Sequence, residues 1–173
     1  MSVPGATFAQ LSWWRVGIFL AAYALMLALL GQWSAADRLF IEILTVDPAA
    51  AILSALTPEI GVQVQGARLT APGGGISVRN GCEGLDCYLL ITSAFLVAPL
   101  SWRGKALGWL FGIGLAWLLN MARVIALFYS FRADRAWFDM IHGTLAPIVI
   151  VAVLAGFFAV WLGRWPPPAT AAR

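Results

Sequence analysis

Charge is what this sequence most lacks. Asp, Glu, Lys and Arg together make up 11% of its 173 residues, less than half the roughly 25% usual in soluble domains. Eleven basic and eight acidic side chains cannot cover a water-soluble body of this size, and 61% of the residues are apolar. That composition excludes a soluble enzyme and a disordered tail. It also excludes a nucleic-acid-binding module, despite the net charge of +3. Histidine occurs once, so two-histidine metal motifs are out of reach, and two cysteines are too few for a disulfide framework. The length suits one domain with a sizeable core. A lipid bilayer is the solvent that fits.

What is present is a set of long apolar runs. A bilayer core about 30 Å thick needs roughly 20 apolar residues per helix. The sequence therefore predicts an all-α integral membrane protein, a single membrane-embedded domain over 1–173 with about four spans. These fall at 16–31, 85–100, 106–131 and 141–163. Trp13, Trp14 and Trp33 flank the first at interface depth. Asp86 interrupts the second, Asn120 and Arg123 the third, and Arg164 with Pro166-Pro167-Pro168 stops the fourth. The first run could instead be a signal-peptide core with a weak cleavage site at Ser34-Ala35-Ala36, but bracketing tryptophans favour an anchor.

Orientation follows from the bases. With the N-terminus inside, Arg15, Arg103, Lys105, Arg164 and Arg173 lie in the cytoplasm with no acidic residue beside them. Asp37, Glu42, Asp47, Glu59, Glu83, Asp86, Asp134 and Asp139 fall on the other side. This positive-inside bias places both termini in the cytoplasm. An extracytoplasmic segment, about 32–84, then joins spans one and two. Asp47-Pro48 reads as a helix start, and the helix, ending near Thr57-Pro58, is too short to cross and lies on the outer surface. Beyond it, Val62 to Thr70 alternates, Pro72-Gly73-Gly74-Gly75 turns, and Ile76 to Arg79 extends again. The pattern predicts a small β-hairpin leading into Asn80-Gly81-Cys82.

An ionisable residue inside a span is a functional candidate by default. Arg123 could snorkel to the outer headgroups. Its helix face argues otherwise: Gly108, Gly112, Ala116 and Asn120 recur every four residues as a small-residue packing stripe. Arg123, three residues past Asn120, shares that face and points into the bundle. Cys82 sits where the hairpin meets the second span, between Gly81 and Gly84, which permit close approach. A lone cysteine is often a small buried hydrophobe. Cys87 fits that description, and a Cys82–Cys87 disulfide is disfavoured in a helix. His142 opens the fourth span, where Asp139 could orient its ring or cap the helix. Alternating topology brings Cys82, Arg123 and His142 to one depth at the outer leaflet. A thiol, a base and a permanent cation at one level are the parts of a thiol acyl-transfer site.

At these residues the sequence resembles the exosortase/archaeosortase family of membrane transpeptidases, most closely its compact exosortase H type. Cys82-Glu83-Gly84 matches a C-x-G motif, Asn120-Met121-Ala122-Arg123 an N-x-x-R motif, and His142 the later histidine. The resemblance implies a cysteine transpeptidase or protease of the bacterial inner membrane with its site facing the extracytoplasmic side. Cys82, Arg123 and His142 would be catalytic, with Asn120, Gly84 and Glu83 at the substrate. Its partners would be secreted proteins carrying a C-terminal sorting tag, with neither metal nor organic cofactor. One position departs from the pattern. Glu83 stands where relatives carry a small or uncharged residue, and a carboxylate there raises the thiol pKa unless Arg123 or Arg79 compensates. The rival reading is a non-catalytic membrane assembly or export component with Arg123 paired to Asp86. A transporter is a third, although four spans without repeats would require an oligomer.

Overall fold

The computed structural model describes residues 13–30, 38–79 and 81–165. Among these residues five long helices and a small sheet follow one another: α1 (Trp13–Leu30), α2 (Arg38–Leu56), β1 (Gln63–Gln65), β2 (Arg68–Thr70), β3 (Ile76–Ser77), α3 (Leu85–Val97), α4 (Trp102–Ala133) and α5 (Arg135–Arg164). All but α3 are long and apolar enough to cross a membrane. The protein is thus an all-α membrane protein with a minor β element.

Side-chain contacts set the depths. Arg15 Nη1 donates to Val97 O at 3.4 Å while Tyr23 Oη donates to Asp86 Oδ1 at 3.4 Å, so α1 and α3 run antiparallel. Lys105 Nζ reaches Leu96 O at 2.7 Å, gathering bases at the end where α3 stops and α4 starts. Along α4 the small residues work as expected. Gly108, Gly112 and Ala116 are buried, and a Cβ on Gly108 would lie 2.3 Å from Phe95 and 2.5 Å from Trp161. Backbones can approach closely only because those side chains are missing. Asn120, eighteen residues beyond Trp102, stands about 27 Å above it at 1.5 Å per residue. With 32 residues, α4 is longer than a hydrocarbon slab of about 30 Å requires.

Around the far end of α4 lies a second core. Val46, Ala49 and Leu53 of α2, Leu69 and Ile76 of the sheet, and Val124, Leu127 and Phe128 of α4 are all buried together. The membrane core, by contrast, joins Ile91, Phe95, Ala116, Ile150 and Leu154.

Three expectations are corrected. The helix at Asp47-Pro48 begins nine residues earlier, at Arg38, because a π-helical stretch, Arg38–Val46, feeds into it without a break. Asp47 and Pro48 mark a change of helix type, where the wider turn accommodates the missing proline N–H. Its length would permit crossing, but its contacts hold it along the far half of α4. Leu44 O accepts from Trp117 Nε1 at 2.9 Å, and Thr57 Oγ1 lies 2.9 Å from Tyr129 Oη. The run from Val62 to Thr70 is two strands, turned at Gly66 with φ +58°. A three-stranded antiparallel meander results, ordered β1-β2-β3. Finally, α5 starts at Arg135, capped by Asp134, whose Oδ1 accepts from Ala136 N at 2.8 Å. Trp33 and Pro166-Pro167-Pro168 lie outside the described residues.

Candidate functional site

The site forms where the chain leaves the sheet and enters α3. Gly81 and Gly84 hold positive φ angles of 93° and 84°, a region other residues rarely adopt. The turn between them presents Cys82 to one side and drives Gly84 onto α4. A Cβ on Gly84 would sit 2.8 Å from Asn120 Cγ, so only glycine fits this crossing. One turn along the same helix face, Arg123 extends toward the turn. Its Nη1 donates to Gly81 O at 3.2 Å, and Nη2 lies 3.9 Å from Cys82 Sγ.

The third group arrives on α5. A π-helical turn, Ile141–Leu145, interrupts that helix and carries His142. Such single-turn widenings re-aim side chains and concentrate at functional sites. His142 Nδ1 lies 3.6 Å from Cys82 Sγ. Its ring is stacked on Phe138, centroids 5.6 Å apart and planes within 5°. Phe138, not Asp139, therefore orients the imidazole. Asp139 is exposed and forms no hydrogen bond with His142 among the described residues. Phe138 and His142 are four residues apart on one helix, and that i,i+4 spacing was the signal available in the sequence.

Three stretches that are 41 and 60 residues apart thus place a guanidinium and an imidazole within 4 Å of one sulfur. Cys82 and Cys87 are both free thiols. Burial pushes the Cys82 thiol above its ordinary pKa. The Arg123 charge pulls it back and Glu83 pushes it further up. The resting group is accordingly held more as thiol than an exposed cysteine would be, and a neighbouring base has work to do. A cleft of about 30 Å³ opens beside the sulfur, lined by Ser77, Val78, Cys82, Val124, Phe138 and His142 among others.

Asn120, Gly84 and Glu83, expected at the substrate, are not among the residues lining this cleft. Asn120 is fully buried and Glu83 is 5% exposed. Glu83 makes no ion pair with Arg79 or Arg123 among the described residues, where Arg38–Glu42 is the one ion pair found. Burial raises its carboxyl pKa, opposed by backbone hydrogen bonds at Glu83, Gly81 and Cys82. Its main-chain oxygen accepts from Thr45 Oγ1 at 3.2 Å, a support from α2 that sequence reading missed. Glu83 Oε2, Tyr88 Oη, both amide atoms of Asn120 and Arg123 Nε are buried without a hydrogen-bond partner among the described residues. Asp86 meets Tyr23 rather than Arg123, so the pairing required by the assembly-component reading is not formed.

The family model described as transmembrane exosortase covers residues 2–162. No curated protein and no solved structure matches the chain.

Proposed function

The chain belongs to the transmembrane exosortase family, and we propose that it is a membrane-embedded cysteine peptidase or transpeptidase acting on C-terminal sorting tags of secreted proteins. One observation carries this reading: imidazole and guanidinium groups from separate helices converge on the Cys82 sulfur at 3.6 and 3.9 Å.

Only a thiolate attacks well, and burial disfavours the thiolate at Cys82. His142 Nδ1 takes the thiol proton as the sulfur adds to the scissile carbonyl. Arg123, held in place through Gly81 O, stabilises first the thiolate and then the oxyanion of the tetrahedral intermediate. His142 next returns the proton to the leaving amine, the C–N bond breaks, and a thioester on Cys82 remains. An acceptor amine, or water, attacks that thioester and regenerates the thiol. Asn120 and Gly84 act by position: their contact fixes the turn that aims Cys82 and the helix face that aims Arg123. The positive-inside charge distribution supports both termini in the cytoplasm and this site on the extracytoplasmic side of the inner membrane. Its substrates are secreted proteins ending in a recognition motif, an apolar span and a basic tail.

Processing of such a protein tests the reading. Cys82→Ala is expected to leave the chain inserted at normal abundance while the tagged protein accumulates uncleaved. Arg123→Ala and His142→Ala are expected to slow cleavage by about a hundredfold or more. Full processing in all three variants would defeat the proposal.

A further inference from the structure

The sheet ends in an unfilled edge, and that edge borders the sulfur. In the order β1-β2-β3, β3 pairs with β2 alone. Leu69 faces Ile76 and Arg68 faces Ser77, and Val78 N donates to Ala67 O at 2.8 Å. Antiparallel ladders alternate between pairs that exchange hydrogen bonds and pairs that do not. Val78 and Ile76 therefore turn their backbone groups toward β2, and Ser77 turns its N–H and C=O outward. Neither group of Ser77 has a backbone partner beyond the sheet among the described residues. Ser77 is exposed while Ile76 and Val78, at 8% and 2% exposure, anchor the strand in the core.

Three further facts make this edge more than a strand end. Ser77 and Cys82 line the same cleft, with His142 and Phe138 among its other walls and Val124 and Leu127 from α4. The cleft is small, about 30 Å³, and a peptide that places its scissile carbonyl there in extended form runs its backbone past Ser77. The edge is also fixed in advance, because Arg132 Nη1 donates to Pro72 O at 2.8 Å and Gly74 O at 3.3 Å. That grip ties the β2–β3 connection to the end of α4.

We propose that the substrate binds by adding a strand to β3, its backbone exchanging hydrogen bonds with Ser77 N–H and C=O while its scissile carbonyl enters the cleft beside Cys82. The inference rests on the peptidase reading above and adds the conformation in which the peptide is held. Recognition through an edge is read from the main chain. The residue opposite Ser77 therefore tolerates many side chains but needs its N–H.

The test uses the full-length chain co-expressed with a secreted host protein that ends in an apolar span followed by basic residues. Ser77→Pro removes the outward N–H at an edge position where proline is tolerated. Cleavage is expected to fall about tenfold, chiefly through KM, as one lost backbone hydrogen bond implies. Ser77→Ala, which keeps the N–H, is expected to lose clearly less than Ser77→Pro. A second measurement does not depend on how Ser77→Pro folds. In the Ser77→Cys, Cys82→Ala, Cys87→Ala triple variant, a cysteine scan of the reporter tail is expected to cross-link at one position and at neither neighbour. Cleavage by Ser77→Pro equal to that of the parent overturns the edge proposal and leaves the peptidase reading standing. Cross-links spread evenly along the tail overturn it as well. A parent chain that leaves the reporter uncleaved overturns the peptidase reading, and the cross-link pattern then decides the edge by itself.

Discussion

The two cores of this molecule are built from the same kinds of side chain but held by different forces. Leu53, Leu69 and Phe128 pack between α2, the sheet and the end of α4. Phe95, Ile91 and Leu154 pack among the apolar helices α3, α4 and α5. Removal from water drives the first. In the second, lipid tails are as apolar as the packed side chains, so close fit along Gly108 and Gly112 must do the holding. Between them lies a polar layer in which, among the described residues, Glu83 Oε2, Tyr88 Oη, both amide atoms of Asn120 and Arg123 Nε are buried without a hydrogen-bond partner. Stability is concentrated in the two cores, and Cys82, Arg123 and His142 meet at the seam between them.

One pair of substitutions sharpens the contrast most. Leu53 and Leu154 are 0% and 1% exposed, and the same change can be made at each. Leu53→Ala is expected to destabilise by about 2–5 kcal/mol, the transfer and cavity parts together. Leu154→Ala should cost about 1–2 kcal/mol, because in lipid the cavity part stands alone. Reversible unfolding in lipid bicelles measures both, and equal losses would erase the distinction between the cores.

A change in the seam should go the other way. Asn120→Leu replaces a fully buried amide with both polar atoms unpartnered by an apolar group of similar size. The variant is expected to be about 1–3 kcal/mol more stable. Tag processing, which needs Gly84 and Arg123 held in register, is expected to fall by about a hundredfold. A variant less stable than its parent would show that the amide is bonded after all.

The smallest effect concerns Glu83, whose charge raises the thiol pKa of Cys82. Removing the charge lowers that pKa, so the thiolate forms at lower pH. Glu83→Gln should therefore shift the rising limb of the pH–rate profile toward acid. The displacement is expected to be modest, since burial is the larger cause of the raised value. A profile that does not move, or moves toward alkali, would place the carboxyl outside the field of the sulfur.

Much of this arrangement is legible in the sequence, and the misses have physical causes. Arg123 stands out because charge is rare within a span, and the four-residue spacing from Gly108 to Asn120 gives the face it occupies. Depth counting from hydropathy alone brings Cys82, Arg123 and His142 to one level. The Arg38 helix start was hidden because Asp47-Pro48 resembles an N-terminus more than a change of helical turn. Gly66 was hidden because the polar–apolar alternation continues across it. Ser77 and Thr45 carry no signal of their own, since each acts through contacts that only the folded chain creates. Glu83 was visible as a departure from the family pattern, but its burial without a cationic partner was not.

The central claim is that Cys82 carries the acyl group. Mass spectrometry of the chain trapped with a tagged secreted protein, with and without hydroxylamine, examines it directly. A hydroxylamine-labile adduct on Cys82 and none on Cys87 is the expected result. An adduct on Cys87, or cleavage with no adduct on Cys82 at any time point, would contradict it.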